Sequence, residues 1–122
     1  GVKIDPVFNG NLNNHKTLTE EKWSQFPFYK QIIMIANEIN RAKSWIIKGD
    51  PEEVKNCYEK ALELIDLTVA VLANKKVLRE FLRFRGLLAQ EYINNQKKLE
   101  INRKLFFVLL SLNKDSYNLL AK

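Results

Sequence analysis

A chain of 122 residues, 46% hydrophobic and 28% charged, can bury one core but hardly two, so a single compact domain is expected. One cysteine, Cys57, and one histidine, His15, exclude an internal disulfide and a zinc site built from Cys and His of one chain; the four glycines form neither a GxGxxG nor a GxxxxGKS/T phosphate loop. The net charge of +6 is uneven: residues 1–73 hold nine Lys and Arg against ten Asp and Glu, residues 74–122 eleven against four, so the positive excess belongs to the second half.

Residues 1–18 carry turn signals at Asp5-Pro6, Asn9-Gly10-Asn11 and Asn13-Asn14 and read as an irregular arm. A single helical domain is expected over residues 19–122. It opens with a short helix that Thr19 caps, Glu20 and Glu21 favour through the dipole, Leu18 staples onto Trp23, and Phe26-Pro27 interrupts. From Pro27, apolar residues at Phe28, Ile32, Ile35, Ile39, Ala42 and Ile46 keep one stripe on one face of a long helix. Gly49 suits a left-handed C-terminal position, Asp50 a cap, Pro51 the first turn and Glu53 a variant capping box, which predicts a tight turn into a second, antiparallel helix.

That second helix repeats the spacing at Val54, Tyr58, Ala61, Ile65, Thr68 and Leu72. Asn74 breaks it, Val77, Phe81, Phe84 and Leu88 mark a third helix, and Ile101, Leu105, Val108 and Leu112 a fourth, with Leu119-Leu120 extending it or packing as a tail. No segment alternates as a strand does. The expectation is therefore an all-α protein, an up-down-up-down antiparallel four-helix bundle with an N-terminal arm and a short preceding helix. Ile39, Ala42, Ala61, Ile65, Leu72, Phe81, Leu88, Leu105 and Val108 are expected in its core. The longest apolar run, Leu105 to Leu110, is far shorter than the roughly 20 residues a spanning helix needs, and no charged-then-apolar leader opens the chain, so no membrane association and a cytoplasmic location are expected.

Chemistry is sparse. Glu59, Glu63 and Asp66 share a face of the second helix, but a carboxylate di-metal bundle also needs Glu-x-x-His pairs that are missing here, so a solvated helix back is expected. Cys57 lies on an apolar stripe and His15 in the arm, which leaves no nucleophile and base to pair. No catalytic residue, metal or cofactor is expected. The run from Leu105 to Leu110 is apolar all the way round and Trp45, Ile46 and Ile47 end the first long helix in similar fashion, so surplus apolar surface is expected at Trp45, Ile47, Phe106, Phe107, Leu109 and Leu110. These residues are the expected binding surface for a protein partner or a second copy of the chain. The alternative expectation is a nucleic-acid-binding protein that uses Lys75, Arg79, Arg83, Lys97, Lys98 and Arg103 on the third and fourth helices.

Ile32-Ile33-Met34-Ile35, Arg41-Ala42-Lys43, Lys48-Gly49-Asp50, Lys60-Ala61, Leu64-Ile65 and Leu72 together resemble the pattern of the flagellin export chaperone family, over roughly residues 28–95. The resemblance implies a small four-helix bundle that wraps a disordered partner segment over apolar grooves, with an N-terminal segment able to occupy a groove. Ile35-Ala36-Asn37-Glu38 stands where that family has a tyrosine-containing motif. Ile39-Asn40-Arg41-Ala42-Lys43, Lys48-Gly49-Asp50 and Glu59-Lys60-Ala61 also resemble the helical toxin domains paired with minimal nucleotidyltransferases. That family's ribonuclease motif sets an Arg several residues before a His on one helix. With no histidine after His15, the resemblance implies binding without that activity.

Overall fold

The computed structural model of the chain describes residues 19–121, and the expected arm over residues 1–18, Leu18 included, lies outside the described residues. Six helices and no strand occur among the described residues: α1 (Glu20–Ser24), α2 (Phe28–Lys48), α3 (Pro51–Val71), α4 (Lys75–Ile93), α5 (Leu99–Leu110) and α6 (Lys114–Leu120). None of them is long and apolar enough to cross a membrane.

Local chemistry sets the boundaries. The Thr19 hydroxyl accepts from Lys22 N–H at 3.2 Å to start α1. Pro27 precedes α2 rather than opening it, and its carbonyl accepts from Lys30 and Gln31 N–H. At the far end of α2, Gly49 adopts φ 77°, a left-handed conformation costly for a residue with a Cβ, and the N–H groups of Gly49 and Asp50 return to the carbonyls of Ile46 and Trp45. The Asp50 carboxylate then accepts from Glu53 N–H at 3.2 Å, so one three-residue sequence stops one helix and starts the next. Asn74 caps α4 through Val77 N–H at 3.0 Å, and Asn113 caps α6 through Ser116 N–H at 3.0 Å. The Asn113 cap makes the C-terminal segment a separate helix rather than an extension of α5. The Ser116 hydroxyl, fully buried, secures α6 by donating to the Leu110 carbonyl.

Helix α2 packs most extensively on α3 and next on α5; α3 also packs on α4, and α4 on α5. Antiparallel register of α3 and α4 is read from two side-chain links: Arg85 bonds Asp66 at 2.7 Å, and Tyr92, seven residues later, donates to Glu59, seven residues earlier, at 2.6 Å. These links engage two of the three carboxylates on the back of α3. Helix α1 lies on α3, where Trp23 is fully buried and donates its indole N–H to Thr68 at 2.8 Å; α6 lies on α2 and α5. The Gln31 amide satisfies the carbonyls of Trp23 and Phe26 in the α1–α2 connection.

Ile39, Ala42, Ala61, Ile65, Phe81, Leu88 and Leu105 share the core with Trp23, Ile32, Ile35, Tyr58, Phe84 and Leu109. Two of the expected core residues do not. Leu72 is half-buried at the edge of the core, and Val108 is exposed. The buried face of α5 is instead Asn102, Leu105, Phe106, Leu109 and Leu110, a stripe turned away from the one through Ile101 and Val108. The turn is held by Asn102, fully buried, whose Nδ2 donates to the Ile39 carbonyl at 3.0 Å and to the Tyr58 hydroxyl at 2.9 Å.

Candidate functional site

The rotation of α5 decides which surface is left open. With Asn102, Phe106 and Leu109 facing α2, the Ile101–Val108 edge is left beside α4, and the two helices enclose an open groove of about 330 Å³ lined by Leu87, Gln90, Glu91, Asn94, Ile101, Lys104, Leu105 and Val108. Leu105 and Glu91 are buried and form its floor; Leu87, 48% exposed, and Val108, 41% exposed, form opposing apolar rims. Gln90, Asn94 and Lys104 are exposed polar edges. The groove is thus mostly aliphatic, with a polar border.

Glu91 is committed to the architecture. Its carboxylate reaches across the α4–α5 connection and accepts from Lys98 N–H at 2.9 Å, satisfying an N–H at the start of α5, which has no side-chain cap of its own. This hydrogen bond anchors one end of the groove. Nothing in the local sequence marks it, because the two residues are seven apart across a break in the helical pattern. The floor is stiffened from behind by the Asn102 network: Arg103 Nε and Nη2 donate to Asn102 Oδ1 at 3.1 and 2.8 Å, Nη2 also donates to Asn40 Oδ1 at 2.8 Å, and the guanidinium stacks 4.7 Å from the Phe106 ring centroid. Desolvation lowers the pKa of Arg103 from its ordinary value. The Tyr58 hydroxyl within this network is pushed up to about 12, chiefly by burial. Both groups keep their ordinary protonation at neutral pH.

The residues expected to form one apolar surface are not brought together. Phe106 is 5% exposed, and Leu109 and Leu110 are fully buried, because α2 and α6 cover the sides of α5 that the all-round apolar run left unassigned. They are core side chains on the folded chain. Trp45 is half-buried, with the Lys48 ammonium 4.8 Å from its ring centroid. Ile47 and Phe107 are exposed but far apart: Asn102 pairs with Ile39, Asn95 and Gln96 lie beside Ile46 and Gly49, and Phe107 is therefore displaced towards the opposite end of α2. Helical rise sets Ile47 and Phe107 about 20 Å apart along the axes.

The six basic residues also divide. Lys75, Arg79 and Arg83 are exposed on the first half of α4. Lys98 lies beside Glu91, which by helical rise is about 24 Å beyond Lys75 and about 12 Å beyond Arg83 along α4. Lys97 donates to the Asn94 carbonyl, and Arg103 is engaged by Asn102, Asn40 and Phe106. Among the described residues no group of three or more His, Cys, Asp and Glu is arranged to hold a metal ion. Cys57 is 4% exposed, and burial raises its thiol pKa, so it packs as a small apolar side chain. Comparisons with protein-family models, curated proteins and solved structures find no match to this chain.

Proposed function

We propose that the chain is a non-enzymatic, chaperone-like protein-interaction module: α2 to α5 act as an up-down-up-down four-helix bundle, and the α4–α5 groove seats an apolar helical segment of a partner protein. The observation that carries this reading is the groove itself, with aliphatic rims at Leu87 and Val108 exposed on either side of a buried floor. Leu87, Ile101, Leu105 and Val108 offer the apolar anchoring positions that a helix with side chains at i, i+3 or i+4 and i+7 fills. Covering the exposed halves of Leu87 and Val108 returns about 1 kcal/mol each, so much of the affinity rests on the apolar side chains of the partner. That balance suits a transient complex.

Affinity capture from the source cell, with nuclease present, tests the assignment. Val108→Asp and Leu87→Asp are expected to lose partners that the unmodified chain retains, whereas Phe107→Asp and Ile47→Asp, outside the groove, retain them. The same partners on all five proteins would refute the groove as the site. Loss with Phe107→Asp or Ile47→Asp alone would move the site to the apolar ends of α5 or α2.

A further inference from the structure

We infer that the segment seated in the α4–α5 groove is an acidic amphipathic helix; this rests on the groove reading above and adds the partner's chemistry. Lys104 lines the groove directly, and Arg83 stands one helical turn before the rim residue Leu87 on the same face of α4. Lys76 lies two further turns along that face and Arg79 beside it, while Lys98 flanks the other end, at the start of α5. All five side chains are exposed, and among the described residues none has an acidic partner: the two ion pairs there are Arg41 with Glu38 and Arg85 with Asp66. The acidic groups nearby are fewer. Glu80 and Glu100 lie on the same two helices, and Glu91 is buried at the groove floor and bonded to Lys98 N–H. An aliphatic trough with Lys104 in its lining and Arg83 and Lys98 at its two ends, none of them held in an ion pair among the described residues, selects a segment with leucine-like residues on one face and carboxylates beside them.

Two other occupants fit less well. A second copy of this chain would set the same cationic border against itself, on a molecule already carrying +6. Single-stranded nucleic acid would meet the cations, but its bases stack on aromatic faces, and none of the groove-lining side chains is aromatic.

The test uses the full chain and synthetic labelled peptides about three helical turns long, followed by fluorescence anisotropy at low and physiological salt. One peptide carries Leu at i, i+3, i+4 and i+7 with Glu elsewhere. A second replaces every Glu with Lys, a third replaces every Leu with Ser, and a labelled single-stranded oligonucleotide completes the set. The Leu/Glu peptide is expected to bind about tenfold more tightly than the Leu/Lys peptide at low salt, with the difference shrinking as salt rises, and the Ser peptide is expected not to bind. An Arg83→Glu, Lys104→Glu double variant should lose about tenfold for the Leu/Glu peptide while keeping its helix content. Equal binding of the Leu/Lys peptide would overturn the acidic preference and leave the groove reading standing. Binding of neither Leu-containing peptide would overturn both, and an oligonucleotide that displaces the Leu/Glu peptide would assign the border to nucleic acid instead.

Discussion

Replacing Asn102 with Ala tests the rotation of α5, on which the groove depends. Asn102 is fully buried and makes four hydrogen-bonded contacts: Nδ2 to the Ile39 carbonyl and the Tyr58 hydroxyl, and Oδ1 from two nitrogens of Arg103. Its truncation strands the Tyr58 hydroxyl, which has no access to water, at a cost of about 1–3 kcal/mol. Arg103 is only half-buried and keeps Asn40, so it regains water with little loss, and the void left by the missing amide adds on the order of 1 kcal/mol. The expected destabilisation is about 2–4 kcal/mol, read in a urea titration as a lower midpoint with an unchanged slope. Val108→Asp, on the exposed rim, is expected to cost less than about 1 kcal/mol in the same assay. The opposite ranking, with Asn102→Ala near neutral and Val108→Asp unfolding the chain, would mean that the Ile101–Val108 stripe faces the core and that no α4–α5 groove exists.

Three further perturbations probe the frame. Ile65→Asp puts an unpaired charge at a fully buried position and is expected to abolish cooperative unfolding by circular dichroism; a melting curve like that of the unmodified chain would contradict the core assignment. Asp50→Ala removes the cap on Glu53 N–H and is expected to cost about 1 kcal/mol in denaturant, no change meaning that α3 draws its start from elsewhere. Tyr58 holds its hydroxyl proton more tightly folded, near 12, than unfolded, near 10, so its contribution is complete below about pH 10 and is lost as pH rises through about 12. Unfolding free energies of the unmodified chain and Tyr58→Phe measured across that window should converge by about 2–3 kcal/mol, and parallel curves would show that the hydroxyl is not desolvated.

Much of the frame was legible because it is written in local signals. Thr19 and Asp50 cap as their positions suggested, Asn74 ends one helical pattern as expected and also caps the next helix, Gly49 takes the left-handed conformation its place before Asp50-Pro51 demands, and the stripe through Ile32, Ile35, Ile39 and Ala42 is the buried face of α2. The facing of α5 was not legible. A helix apolar on every side from Leu105 to Leu110 has no preferred period, and the residue that fixes its rotation, Asn102, is polar and looks like surface until the Tyr58 hydroxyl and the Ile39 carbonyl are found beside it. The same rotation carried Val108 from core to rim and Phe106, Leu109 and Leu110 from surface to core. Asn113 is another polar residue whose role appears only in three dimensions, as the cap that turns Leu119 and Leu120 into part of a sixth helix.

The most direct measurement is a map of backbone amide shifts on the full, isotope-labelled chain as the Leu/Glu peptide is added. Perturbations are expected to concentrate at Leu87, Gln90, Asn94, Ile101, Lys104 and Val108, with Ile47 and Phe107 unmoved. Shifts centred on Ile47 and the α2–α3 turn, or no saturable shifts anywhere on α4 and α5, would contradict the groove assignment.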